Sequence, residues 1–333
     1  MTDRILPPST GMAELERELE HQEPGHVDPG TVAGAAGGVV GAGAAPTARG
    51  ARKWRLYLRR FVRNRMAVVG VVVFVAIALL GIVGPLISDY TYDEVDFLAI
   101  NDPPGGDHWL GTTGAGNDLF AQLTHGIQRS LLIGLVVSLA TTLIAAFVGA
   151  IAAYVGGWVE RAILEVIHFL LIVPSFLILA LVSNDVNGDW RMLIVVLALF
   201  GWMYYARIVW TMALSVRERE FVAAARYMGL GPWAVVRRHI VPNIGSMLTI
   251  YFTLGVVTTI QAETGLSFLG FGVKEPDTSL GALIGEGSSL VYSAPWMFWF
   301  PAITLTLLTV SMAFIADGLR DALDPTSQAG GRA

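Results

Sequence analysis

The chain is 333 residues long, 54% hydrophobic and only 15% charged. A soluble domain averages about 25% charged residues, so this depletion excludes an ordinary water-soluble globule and points to a bilayer. The absence of cysteine excludes disulfides and thiol catalysis, and the net charge of −5 matters less than where its charges fall.

Residues 1–51 hold an acidic patch, AELERELE, followed by the glycine- and alanine-rich GTVAGAAGGVVGAGAAPTARG. Such a segment buries too little apolar surface to offset its ordering entropy, so a disordered cytoplasmic tail is expected. It is not a signal peptide, because the first apolar run follows residue 65. Residues 52–65, RKWRLYLRRFVRNR, place Trp54, Leu58, Phe61 and Val62 on one helical face with arginines around the rest. That pattern predicts an amphipathic helix lying on membrane lipid in the inner headgroup layer.

Crossing ~30 Å of hydrocarbon takes about 20 mostly apolar helical residues. The region 66–317 offers six such runs: Met66–Ile87, Leu131–Val155, Ile163–Val182, Met192–Trp210, Ile240–Phe271 and Pro295–Ala316. Pro174 should kink the third, and the fifth is long enough to break near its end. Ala145, Gly149, Ala153 and Gly157 recur every four residues in and just beyond the second, a stripe for close helix packing. The expected fold is therefore an all-α membrane protein of six transmembrane helices.

Lysine and arginine near the span ends set the orientation. Arg52, Lys53, Arg55, Arg59, Arg60, Arg63 and Arg65 precede the first span, and Arg217, Arg219, Arg226, Arg237 and Arg238 occupy the loop 211–239. The loop 88–130 instead carries Asp89, Asp93, Glu94, Asp96, Asp102, Asp107 and Asp118 against Arg129. Both termini, including the tail 318–333, and the 211–239 loop are thus expected in the cytoplasm, with 88–130 outside.

The stretch EFVAAARYMGLGPWAVVRRHIVPN, residues 220–243, interrupts this apolar chain with charge. Phe221, Ala224, Ala225 and Met228 recur at helical spacing; Gly229 and Gly231 are helix stops, and Pro232 suits the first position of a second helix. An exposed helix–turn–helix with its own apolar ridge follows, and such a ridge fits docking into a groove on a soluble partner.

Residues 201–243 resemble the cytoplasmic signature loop of binding-protein-dependent ABC importer permeases, whose pattern runs Glu-Ala-Ala, then Gly, then Ile-x-Leu-Pro. Gly229, Ile240 and Pro242 match it, Ala224 and Ala225 follow Ala223 where the family has Glu, and Val241 replaces Leu. The resemblance, from Trp54 to Pro325, is to the second membrane subunit of oligopeptide and dipeptide importers: HWLGTTGAGNDLFAQLTHGIQRSLLIG (108–134), AETGLSFLGFG (262–272) and LRDALDP (319–325) are similar to its hallmarks. Thr113 and Asn117 stand where that subfamily often has Asp and Arg.

The resemblance implies a type I ABC importer permease in a bacterial inner membrane, paired with a second permease subunit. It implies one or two cytosolic ATPase subunits holding the loop, an extracytoplasmic peptide-binding protein, and no nucleic acid. ATP and magnesium would be bound by the ATPases, so this chain would hold no cofactor. The ATPase-coupling residues would be Glu220, Phe221, Ala223, Ala224, Ala225, Met228, Gly229, Pro232, Ile240 and Pro242. Nickel and other small-solute importers share the signature.

Glu263, Ser267 and His168, with Glu165 near the last, are polar groups at membrane depth and candidates for the translocation path; the alternative for Glu263 is a structural hydrogen bond beside Gly265. An enzyme reading lacks its motifs. Lys53 and Lys274 follow Arg and Val rather than the Gly of a P-loop, and neither H-E-x-x-H nor G-x-S-x-G occurs. A self-contained secondary transporter would show an internal repeat, and the halves show none.

Overall fold

The computed structural model describes residues 47–185 and 188–323. Most of the expected N-terminal tail and the end of the C-terminal one lie outside them. The chain divides into two units, 1–50 and 51–333, and the architecture below is that of the second.

Among the described residues the regular elements are helical: α1 (Thr47–Arg63), α2 (Arg65–Ile87), α3 (Leu119–Val155), α4 (Gly157–Ile172), α5 (Ser175–Asp185), α6 (Trp190–Arg217), α7 (Glu220–Tyr227), α8 (Pro232–Val235), α9 (Val241–Phe268), α10 (Leu280–Ser288) and α11 (Pro295–Leu323). Five helices are long and apolar enough to cross a membrane, and α4 with α5, bent by 68° at the break around Pro174, brings the number to six if the bent pair counts as one span. Polar residues punctuate the apolar runs. Asn64 caps α2 by accepting from the Met66 and Ala67 amides, and Asp118 and Asp189 do the same for α3 and α6 through the amides of Ala121 and Arg191.

Helix α3 is the central post, packed against α6 on one side, α9 on another and α2 on a third; α11 closes against α2. The small-residue stripe performs the packing the sequence implies. At Gly149 an added Cβ would stand 2.5 Å from the Ala206 carbonyl and 2.9 Å from the Trp210 amide, so α3 and α6 meet backbone to backbone. The stripe ends at Ala153, since Gly157 faces open space.

Four boundaries differ from the sequence expectation. Helix α3 starts at Leu119, so the loop expected outside ends at Asp118 rather than at residue 130: Leu119, Leu123 and Ile127, one turn apart, are buried on a polar-looking segment. Helix α11 runs on to Leu323, past residue 317, with Asp321 accepting from the Asn64 amide at 2.9 Å. The fifth span is continuous from Pro232 through a π-turn at Val236–Ile240 to Phe268, so the second helix of the charged loop is the start of that span. Helix α1 begins at Thr47, before the expected start at 52, and ends at Arg63.

Candidate functional site

The two ends of the bundle differ. At the end carrying residues 218–231, the chain leaves α6 at Arg217, forms α7, turns at Gly229 and re-enters through Pro232, the first residue of α8. Gly229 has φ +80 in open space, a left-handed conformation that costs a residue with a Cβ about 1 kcal/mol or more.

One side of this elbow is core. Val222 and Ala225 are buried against Ala150 and Ala153 of α3, Ala213 of α6, and Val235, Val236 and Ile240. The Arg217 guanidinium donates to the Ala153 carbonyl at 2.8 Å, and the Trp210 indole donates to Glu160 Oε1 at 2.7 Å. The Phe147 and Trp233 rings meet with centroids 5.0 Å apart. The elbow is therefore bolted to α3 and α6, and force applied to it reaches the central post directly.

The other side is bare. Phe221 is 42% exposed, Met228 71% and Tyr227 91%, with Ala223 and Ala224 between them and Trp233 exposed beyond the turn. Adjacent exposed aromatics and methionine mark an interaction surface. The exposed arginines Arg219, Arg226, Arg237 and Arg238 rim it. Beside it lies a cleft of about 830 Å³ lined by Tyr154, Arg217, Ala223, Arg226 and Tyr227.

The structure separates the residues that the sequence grouped. Phe221, Ala224 and Met228 share the bare face, whereas Ala225 belongs to the core and Ile240 is wholly buried beneath it. Ala225 therefore leaves the expected ridge, because α7 buries the arc centred on Val222 and Ala225. Glu220 opens α7 in its first turn, where a carboxylate favours the helix dipole, and Pro232 and Pro242 are exposed. Tyr227 and Trp233 were missed as surface anchors; two large aromatics on a charged loop were the available signal.

The intramembrane polar residues part company as well. Glu263 is fully buried: its Oε1 accepts from the hydroxyls of Ser267 and Ser279, each at 2.6 Å, while Oε2 finds no donor among the described residues. Ser279 in turn caps α10, accepting from the Ala282 amide, and the Leu280 amide donates to Ser130 on α3. Through Ser279, Glu263 ties α9 to the start of α10. Ser267, also buried, stands in the wall of a cleft of about 550 Å³ with Lys274, Glu275 and Glu286. His168 is exposed on α4.

At the opposite end, the acidic loop is a folded cap. Gly111 has φ +82, and a Cβ there would stand 2.6 Å from the Asp102 carbonyl, so the LGT stretch needs glycine. The Thr113 hydroxyl donates to Asn117 Oδ1 at 3.3 Å, so the two residues that depart from the family pattern meet each other. His108, stacked on Tyr90, bonds Asp118 at 2.9 Å, and His125, stacked on Tyr92, bonds Asp277 at 2.7 Å. Arg129 donates to the same Asp277 oxygen at 2.8 Å and lies over the Trp190 ring. Partial burial works against the Asp277 charge, but the Arg129 and His125 hydrogen bonds outweigh it and hold its carboxyl below the usual carboxylate range.

No cluster of His, Cys, Asp and Glu able to hold a metal occurs among the described residues. Among the described residues the geometry is that of an elbow and a cap at opposite ends of a helical bundle.

Comparison with known proteins agrees with this arrangement. Residues 142–328 match the family described as "Binding-protein-dependent transport system inner membrane component", and residues 53–104 match the "N-terminal TM domain of oligopeptide transport permease C". The chain is 46% identical over 275 residues to the oligopeptide transport system permease protein OppC of Mycobacterium tuberculosis, covering 82% of this chain and 94% of the relative. It is 35% identical over 271 residues to a putative peptide permease protein of Brucella suis, covering 81% and 90%. With the OppC protein of Bacillus subtilis the identity is 33% over 272 residues, covering 82% and 89%. The chain belongs to the binding-protein-dependent transport system inner membrane components, the permeases of ABC importers.

Proposed function

We propose that this permease carries oligopeptides or dipeptides inward as one of two membrane subunits, driven by ATPase subunits that grip the 218–239 elbow. The observation that carries the proposal is the two-sidedness of α7. A flexible tether would expose both sides or neither; here one side is locked into α3 and α6, and the other presents Phe221, Tyr227 and Met228, left uncovered by the described residues. Such a ridge suits helix-in-groove docking. ATP and magnesium then belong to the partners, and closure of two ATPases would draw paired elbows together and tilt the bundles.

The arginines around α1 and the elbow favour a cytoplasmic position for both, with the acidic cap outside, where it would receive the peptide-binding protein. The names of the relatives support peptides as cargo. The test is reconstitution in vesicles with the second permease, the binding protein and a labelled peptide. Uptake is expected only when the ATPases and ATP are added; uptake by the membrane subunits alone would overturn the proposal.

A further inference from the structure

The acidic cap carries a bare apolar feature of its own. Phe97 is 80% exposed and Leu98 96%, with Ile100 exposed beside them. The backbone that bears them is not slack. The Asp96 amide donates to the Gly116 carbonyl at 2.9 Å, and the Asp96 carboxylate accepts from the Leu98 amide at 2.8 Å, an Asx turn that sets the bend. Ala99 is buried, its carbonyl accepting from the Thr112 hydroxyl. The Asn101 amide donates to the Thr113 carbonyl at 3.2 Å, and the Asp102 amide to the Thr112 hydroxyl at 2.8 Å. Bonds at 96, 99, 101 and 102 thus fix the chain while two large apolar side chains stand out from it.

This knob rests on helix ends, not on a helix flank. The stretch beneath it is tied to α3, where the Leu119 amide donates to the Gly111 carbonyl, and to α11, where the Trp296 indole donates to the Thr112 carbonyl. A partner that covers the knob approaches along the end of the bundle, whereas a second membrane subunit pairs along helix flanks. The surroundings are acidic. Asp89, Asp93, Glu94, Asp102 and Asp107 are exposed, and no lysine or arginine occurs between Ser88 and Asp118. Membrane headgroups, neutral or anionic on balance, offer these carboxylates no counter-charge.

We infer that Phe97 and Leu98 form a docking knob for the peptide-binding protein, seated in an apolar hollow of that partner rimmed by lysine and arginine. The inference rests on the importer reading, which puts the cap outside, and adds the residues and the chemistry of the contact. The division of labour is that of a protein interface: the apolar centre holds, and the charged rim steers. Asp96 is the positioning residue, since its carboxylate fixes the turn that presents Leu98.

The test uses the complete importer in nanodiscs and its own binding protein loaded with peptide. Phe97→Ala combined with Leu98→Asp should weaken binding about tenfold or more, with normal yield of assembled complex, because both side chains already face solvent. Unchanged affinity would overturn the knob. Leu98→Cys gives a second reading in a chain without native cysteine, with the partner subunits freed of theirs. It should react rapidly with a small water-soluble methanethiosulfonate in the importer alone, and about tenfold more slowly under excess binding protein. Slow reaction before the binding protein is added would show that lipid or another subunit covers the knob. Equal rates with and without it would place the contact elsewhere, and either result overturns the proposal. For the rim, raising salt from about 50 to about 500 mM should weaken binding several-fold, and Asp93→Asn combined with Asp102→Asn should lose most of that dependence. Salt-independent binding by the wild type would overturn the basic rim. These failures are compatible with ATP-dependent uptake; failure of the importer reading shows instead as uptake without ATPases.

Discussion

Phe221→Arg is expected to leave the chain inserted and the ATPases hydrolysing, while peptide uptake falls by one to two orders of magnitude. Phe221 is 42% exposed and lies outside the buried cluster, its ring tilted against His239 with centroids 6.5 Å apart, so the fold loses less there than at a buried position. A partner's groove loses a large aromatic anchor and must instead desolvate a guanidinium among the existing arginines; hot-spot truncations of this kind cost ~2 kcal/mol or more, about thirtyfold in occupancy. Val222→Arg is the contrasting control. Val222 is 2% exposed in the clasp between α7 and α3, so a charge there should unseat the elbow and lower the amount of folded protein. Uptake and hydrolysis measured together on reconstituted complexes separate the two effects. Full uptake with Phe221→Arg would remove the ridge from the coupling mechanism.

The second large effect concerns Glu263. Glu263→Ala deletes the acceptor shared by Ser267 and Ser279 and leaves two buried hydroxyl protons without that acceptor beside a new cavity. Losses of about 1–3 kcal/mol for the unmet polar groups, with a cavity contribution of similar size, put the total at roughly 2–5 kcal/mol. Glu263→Gln keeps an acceptor oxygen where both hydroxyls point and should cost far less. Thermal unfolding in detergent, with protease sensitivity of the 269–279 loop as a local readout, should rank the three proteins wild type, Gln, Ala. If the alanine variant melts like the wild type yet transports poorly, Glu263 acts on the cargo rather than on the joint between α9 and α10.

Much of this architecture was legible in the residues. Uninterrupted apolar runs fix the membrane helices because lipid leaves the backbone no other way to satisfy its hydrogen bonds. Gly229 and Pro232 announce the elbow, since each has a narrow conformational use. The boundaries were read less well where burial comes from protein rather than lipid. Leu119, Leu123 and Ile127 are spaced like a helix face, but Gln122, Thr124 and His125 between them and Gln128 just after mimic a loop, and only the packing of α9, α10 and α11 around α3 explains their burial.

The sites divide along the same line. Periodicity places Phe221, Ala224, Ala225 and Met228 near one another, yet an arc of that width has two edges, and contact with α3 decides that Ala225 turns inward. From the residues alone Glu263 allowed two readings, a path residue and a structural hydrogen bond beside Gly265. Its partner Ser279 lies sixteen residues downstream across a loop, a pairing that one-dimensional spacing cannot show. His168 and Glu165, by contrast, were visible as anomalies. What the structure adds is that they share a bare face.

The central claim is that an ATPase holds the elbow. Met228→Cys, in a chain otherwise free of cysteine and 71% exposed at that position, offers a single attachment point for a short thiol cross-linker in intact membranes. The account predicts a cross-link between this chain and an ATPase subunit, lost when Phe221→Arg is added. A Met228→Cys that reacts with a membrane-impermeant thiol reagent from the outside of the cell, or that is labelled only by reagents dissolved in lipid, with no ATPase captured, would contradict it.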